Sequence, residues 1–108
     1  MAKKRSKKNQ KMNEDDFVKI DVYYLPKEQA EMYRVLREVV KEEVIEWAQN
    51  QFATVKLESD AEEGEGIYAY NEANELVFTY YLNPTNISQA QKARDKEQLP
   101  TYLETLIK

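Results

Sequence analysis

Carboxylates, lysines and tyrosines are the side chains in this sequence that could do chemistry, because histidine and cysteine are both absent. Without an imidazole or a thiol, Ser-His-Asp and Cys-His nucleophilic systems, histidine bases, Cys/His zinc sites and disulfides are excluded for want of the atoms. Two glycines, Gly64 and Gly66, are too few for a Walker A loop or a G-x-G-x-x-G turn. A carboxylate pair for acid and base work needs a pocket that pushes its two pKa values apart. The acids of this chain fall instead on one helix face and in one loop, the usual placement of solvated charge. No catalytic or cofactor-binding residue is assigned, and a non-enzymatic protein with no cofactor is expected.

Three groups of residues merit weighing. The loop acids Asp60, Glu62, Glu63 and Glu65 could offer oxygens to a hard cation, but they lack the spaced aspartates and distal glutamate of an EF-hand loop, so no metal site is assigned. Among the eight tyrosines, Tyr68, Tyr70, Tyr80 and Tyr81 fall on one predicted hairpin. A base-stacking platform would need interleaved lysine or arginine, and none occurs from Glu58 to Gln91, so core packing is the better reading of these rings. The third group is a row of glutamates, Glu31, Glu38, Glu42 and Glu46, interleaved with Met32, Val35 and Val39. Like charges at i,i+4 cost a few tenths of a kcal/mol in an isolated helix, roughly, so stability alone does not account for the row. These seven residues are the candidate partner-binding surface, suited to a basic protein.

The charge is divided. Residues 1–11 carry Lys3, Lys4, Arg5, Lys7, Lys8 and Lys11 with no acid, while the other 97 positions hold all 20 acids and 10 bases. The lysine-rich segment has too few apolar residues to fold alone, so a flexible basic tail is expected over residues 1–16. Its six cations are candidate phosphate contacts, giving the alternative reading of a nucleic-acid accessory protein with a steep salt dependence. No secretory signal precedes the chain's first strand and no span crosses a membrane, so a cytoplasmic location is expected.

The elements that must position these residues follow from periodicity. Phe17–Leu25 alternates, with Val18, Ile20, Val22 and Tyr24 on one side, and predicts a strand. After Pro26, Tyr33, Leu36, Val40, Val44 and Trp47, with Ala30 and Ala48, form one apolar stripe of a helix running to about Asn50. Met32, Val35 and Val39 make a second stripe, for which the C-terminal segment is the favoured cover and a second subunit the alternative. Strands are predicted over Phe52–Glu58, Ile67–Tyr70 and Glu75–Leu82, the last two joined by a turn in which Asn74 takes a left-handed conformation. If Asn71 pairs with Glu75, Tyr70 faces Leu76 and Tyr68 faces Phe78, making one aromatic side. A surface helix over Ile87–Gln98 and a short one from Tyr102 to Ile107 complete the order.

The expected architecture is α+β, β-α-β-β-β-α(-α), with helices on one face of a mainly antiparallel four-stranded sheet and one acidic domain over residues 17–108. The expected function is binding or regulation through protein contacts, with an unidentified protein partner or a homodimer.

Overall fold

Asp21 interrupts the first predicted strand. The computed structural model describes residues 16–108, and in it Asp21 has φ 60°, a left-handed angle that a short polar side chain tolerates and a two-residue hairpin turn requires. The segment is therefore a hairpin of β1 (Phe17–Ile20) and β2 (Tyr23–Pro26), paired antiparallel with Ile20 opposite Tyr23 and Val18 opposite Leu25. Beyond the turn the inward side changes parity. Val18, Ile20, Tyr23 and Leu25 face the core, whereas Tyr24, expected beside Val18 and Ile20, is 69% exposed with the Lys19 ammonium 5.7 Å from its ring centroid.

α1 (Lys27–Gln51) starts directly after Pro26, whose φ of −56° suits a helix entry and whose missing N–H leaves no orphan donor. Ala30, Tyr33, Val40, Val44 and Ala48 are buried, with Leu36 and Trp47 packed at the edge of the same stripe. Phe52 ends the helix in extended backbone, its N–H still donating to Ala48 O at 2.9 Å.

β3 (Thr54–Asp60), β4 (Gly64–Tyr70) and β5 (Leu76–Tyr81) form a second antiparallel sheet in the order β3-β4-β5. The single four-stranded sheet expected from the sequence is thus replaced by a two-stranded and a three-stranded sheet. No parallel pair occurs among the described strands. The reason is local: the turn at Asp21 folds the segment back after four residues, so its two short strands pair with each other.

The β4–β5 turn is as expected, with Asn74 at φ 65° and Asn71 accepting the Glu75 N–H at 2.9 Å. A bulge between Ala69 and Tyr70 then shifts the register, so Ala69 pairs with Phe78 and Tyr68 with Thr79. The expected aromatic side is split. Phe78 and Tyr80 lie in the core with Ile67 and Ala69, while Tyr68 and Tyr81 share the opposite, open face, their hydroxyls 3.3 Å apart.

α2 (Pro84–Asp95) begins earlier than expected because Asn83 caps it, accepting the Asn86 N–H at 2.7 Å, with Pro84 in the first turn. Few as its apolar residues are, Ile87 and Ala90 are completely buried. α3 (Leu99–Glu104) likewise carries Pro100 in its first turn, where the proline starts the helix that it was expected to precede. Leu99 and Leu103 close the core, and Tyr102 meets Tyr80 edge-on at 6.3 Å. All three helices pack on the same face of the three-stranded sheet.

Candidate functional site

The outer face of α1 is where the structure leaves apolar surface in water. At 100° per residue, Glu38, Glu31, Glu42, Val35, Glu28, Glu46, Val39 and Met32 occupy an arc of about 120°, opposite the buried stripe. No lysine or arginine lies on that arc. Met32 is 67% exposed and Val35 62%, with Val39 half-buried. The expected cover by the C-terminal segment is therefore corrected. α2 and α3 pack toward the first stripe, drawn there by Ile87, Ala90, Leu99 and Leu103, and leave the second stripe uncovered among the described residues.

Beside Met32 the surface dips into a groove of about 470 Å³ between α1 and α2, floored by Leu25, Tyr33, Leu36 and Ile87 and rimmed by Glu28 and Lys92. Thus Met32, Val35 and the glutamates on the sequence-derived surface are brought together. Leu25, Leu36 and Ile87 were not part of it. Leu36 could have been added from its i,i+4 spacing to Met32, whereas Leu25 and Ile87 come from segments whose approach to α1 is a tertiary event.

The flank of α1 next to the sheet carries a different cluster. Arg37 Nη2 lies 2.7 Å from Glu65 Oε1 and 3.2 Å from Asp21 Oδ2, and Lys41 Nζ is 3.7 Å from the same Glu65 oxygen. Asp21 Oδ2 also accepts the Glu65 N–H at 2.6 Å. The cluster ties the β1–β2 turn, α1 and β4 together. Burial works against the Arg37 charge, but attraction to Tyr33 and Glu65 outweighs it and its pKa rises. Arg37 Nε is buried with no hydrogen-bond partner among the described residues. Every charge here has an opposite neighbour, so the cluster reads as a clamp between segments.

The remaining sequence candidates have structural roles. Asp60 accepts the N–H groups of Glu62 and Glu63 at 2.7 and 2.8 Å, closing the β3–β4 turn, and these bonds hold its carboxyl below the usual range. Among the described residues no group of three potential metal ligands gathers. Burial pushes the Tyr80 phenol well above its ordinary value, and its hydroxyl donates to Asn86 O at 2.6 Å. The Tyr68 phenol is pushed up to about 12, chiefly by its bond to Tyr81. Lys56 on the same open face stands 5.4 Å from the Tyr70 ring centroid. No described helix is long and apolar enough to cross a membrane. The tail candidates Lys3, Lys4, Arg5, Lys7, Lys8 and Lys11 lie outside the described residues.

No relative is found. The chain matches no protein-family model, no curated protein and no solved structure.

Proposed function

We propose that this chain is a small non-enzymatic binding module whose outer α1 face docks a basic, amphipathic segment of a protein partner. The observation that carries the reading is the joint exposure of Met32 and Val35 within an arc of glutamates that holds no base. Arg34 and Lys41 border the arc, 3.5 and 4.0 Å from Glu31 and Glu38. The arc itself carries acids alone, and an apolar ridge with an excess of one sign matches a partner of the opposite sign with its own apolar seam. The groove between α1 and α2 gives one large side chain of that partner a place to enter.

A helical peptide of about 18 residues, with leucines at i, i+3, i+4 and i+7 and lysines elsewhere, serves as the probe. Titrated calorimetrically, it is expected to bind with an affinity that falls as salt rises. Reversing Glu38, Glu42 and Glu46 to lysine should weaken binding at least about tenfold. Met32→Asp separates docking from bulk attraction: it makes the face more acidic, yet should weaken binding because the apolar anchor is lost. If Met32→Asp binds the peptide as well as or better than the unaltered chain, the face is only a charged surface and the reading fails.

A further inference from the structure

We propose that the outer edge of β3 pairs antiparallel with β3 of a second copy of this chain, about a two-fold axis through Leu57, to make one six-stranded sheet. This inference uses a surface separate from the outer α1 face and does not depend on it.

β3 is an edge strand by sheet order. Its backbone phase follows from its neighbours. Leu82 N–H donates to Glu65 O at 3.0 Å, so the odd-numbered residues of β4 direct their N–H and C=O groups toward β5, and the even-numbered ones toward β3. With Thr54 opposite Tyr70, Lys56 opposite Tyr68 and Glu58 opposite Gly66, the even-numbered residues of β3 bond to β4. The N–H and C=O groups of Val55, Leu57 and Ser59 therefore point outward, and among the described residues no strand pairs with them. The other edge of this sheet is engaged at Val77, whose carbonyl accepts the Lys108 N–H at 2.8 Å.

A row of outward backbone groups on a strand free of glycine and proline is a template for a further strand. What identifies the occupant as a second copy, and sets the register, is the charge pattern of the strand itself. An axis through Lys56 would oppose Lys56 to Lys56 of the other copy, and an axis through Glu58 would oppose two glutamates. An axis through Leu57 instead sets Lys56 against Glu58 twice and Thr54 against Asp60 twice. In the same register Leu57 meets Leu57, and Val55 meets Ser59, each as a pair whose free N–H and C=O groups face one another. The two Leu57 side chains, 41% exposed in one copy, would cover each other on the helix-bearing side. The self-complementary ladder is what a closed two-fold interface requires.

Sedimentation equilibrium of the full chain, at protein concentrations on the order of 100 µM, is expected to show a reversible dimer, since a single paired edge is a small interface. Leu57→Pro removes an N–H that β4 does not use and should leave a folded monomer. Lys56→Glu or Glu58→Lys alone places like charges face to face twice and should weaken dimerisation about tenfold or more, and the double swap K56E/E58K should restore it. Amide exchange gives a second readout: Val55, Leu57 and Ser59 should be protected at high concentration and exchange freely on dilution. A monomer at that concentration, a Leu57→Pro chain that still dimerises, or a double swap no better than either single change would overturn the proposal.

Discussion

Asp21 and Gly64 meet at one point, and each constrains the other. A Cβ at Gly64 would stand 2.5 Å from Asp21 Oδ2, and Gly64 has φ 85°, a region that side chains rarely adopt. Gly64→Ala is therefore expected to destabilise the fold by about 2 kcal/mol, combining backbone strain with displacement of the Asp21 carboxylate, as a denaturant titration would show. Asp21→Ala removes the acceptor for the Glu65 N–H and one partner of Arg37. Arg37→Ala should cost more, about 3 kcal/mol, because Asp21 is left partly buried without a cation and Glu65 keeps only Lys41, at 3.7 Å. Gly66 needs its smallness for another reason: Tyr81 Cδ1 would lie 2.9 Å from an added Cβ. None of these pairings is visible in the sequence, since residues fifteen to forty-four positions apart meet only through the fold.

Among the elements, α1 was the most legible, because a glycine-free run with apolar residues at spacings of three and four admits one reading. The hairpin around Asn71–Asn74 was legible for the same kind of reason, its turn residues being the ones a left-handed position demands. β1 and β2 are not separable by pattern, because a two-residue turn preserves the look of alternation: Val18, Ile20, Val22 and Tyr24 keep period two while the inward face passes to Tyr23 and Leu25. The bulge after Ala69 was equally hidden, and it divided the tyrosines between two faces. α2 depends on its cap more than on its sparse apolar side, so Asn83→Ala should cost about 1 kcal/mol and lower the melting temperature accordingly. The bidentate contact of Arg94 with Glu43, at 3.0 and 3.1 Å, then holds the far end of α2 to α1.

For the whole molecule, pH exposes which tyrosines are structural. Burial raises the phenols of Tyr33 and Tyr80 above their ordinary value of 10.0. The folded state thus favours the neutral phenol, so this stabilisation is complete below pH 10 and is lost as pH rises past it, when the unfolded chain releases protons that the folded chain retains. Melting temperature followed from about pH 8 to about pH 11 should fall at the alkaline end, and Tyr80→Phe should shift that fall upward while lowering stability at neutral pH through the lost bond to Asn86. Excess acid on the outer α1 face was legible from the sequence. Its remaining uncovered was not, because coverage depends on where α2 and α3 settle.

The chain's single indole is well placed to report on these experiments. Trp47 sits edge-on to Phe52 and Phe78, at 5.8 and 5.2 Å between centroids, where the end of α1 meets the three-stranded sheet. It lies roughly 16 Å along the helix from Leu36 and the groove beside Met32. Its emission should therefore shift to the red when the core opens and stay constant when a ligand occupies the groove. One intrinsic fluorophore can thus separate loss of structure from occupancy without any added label.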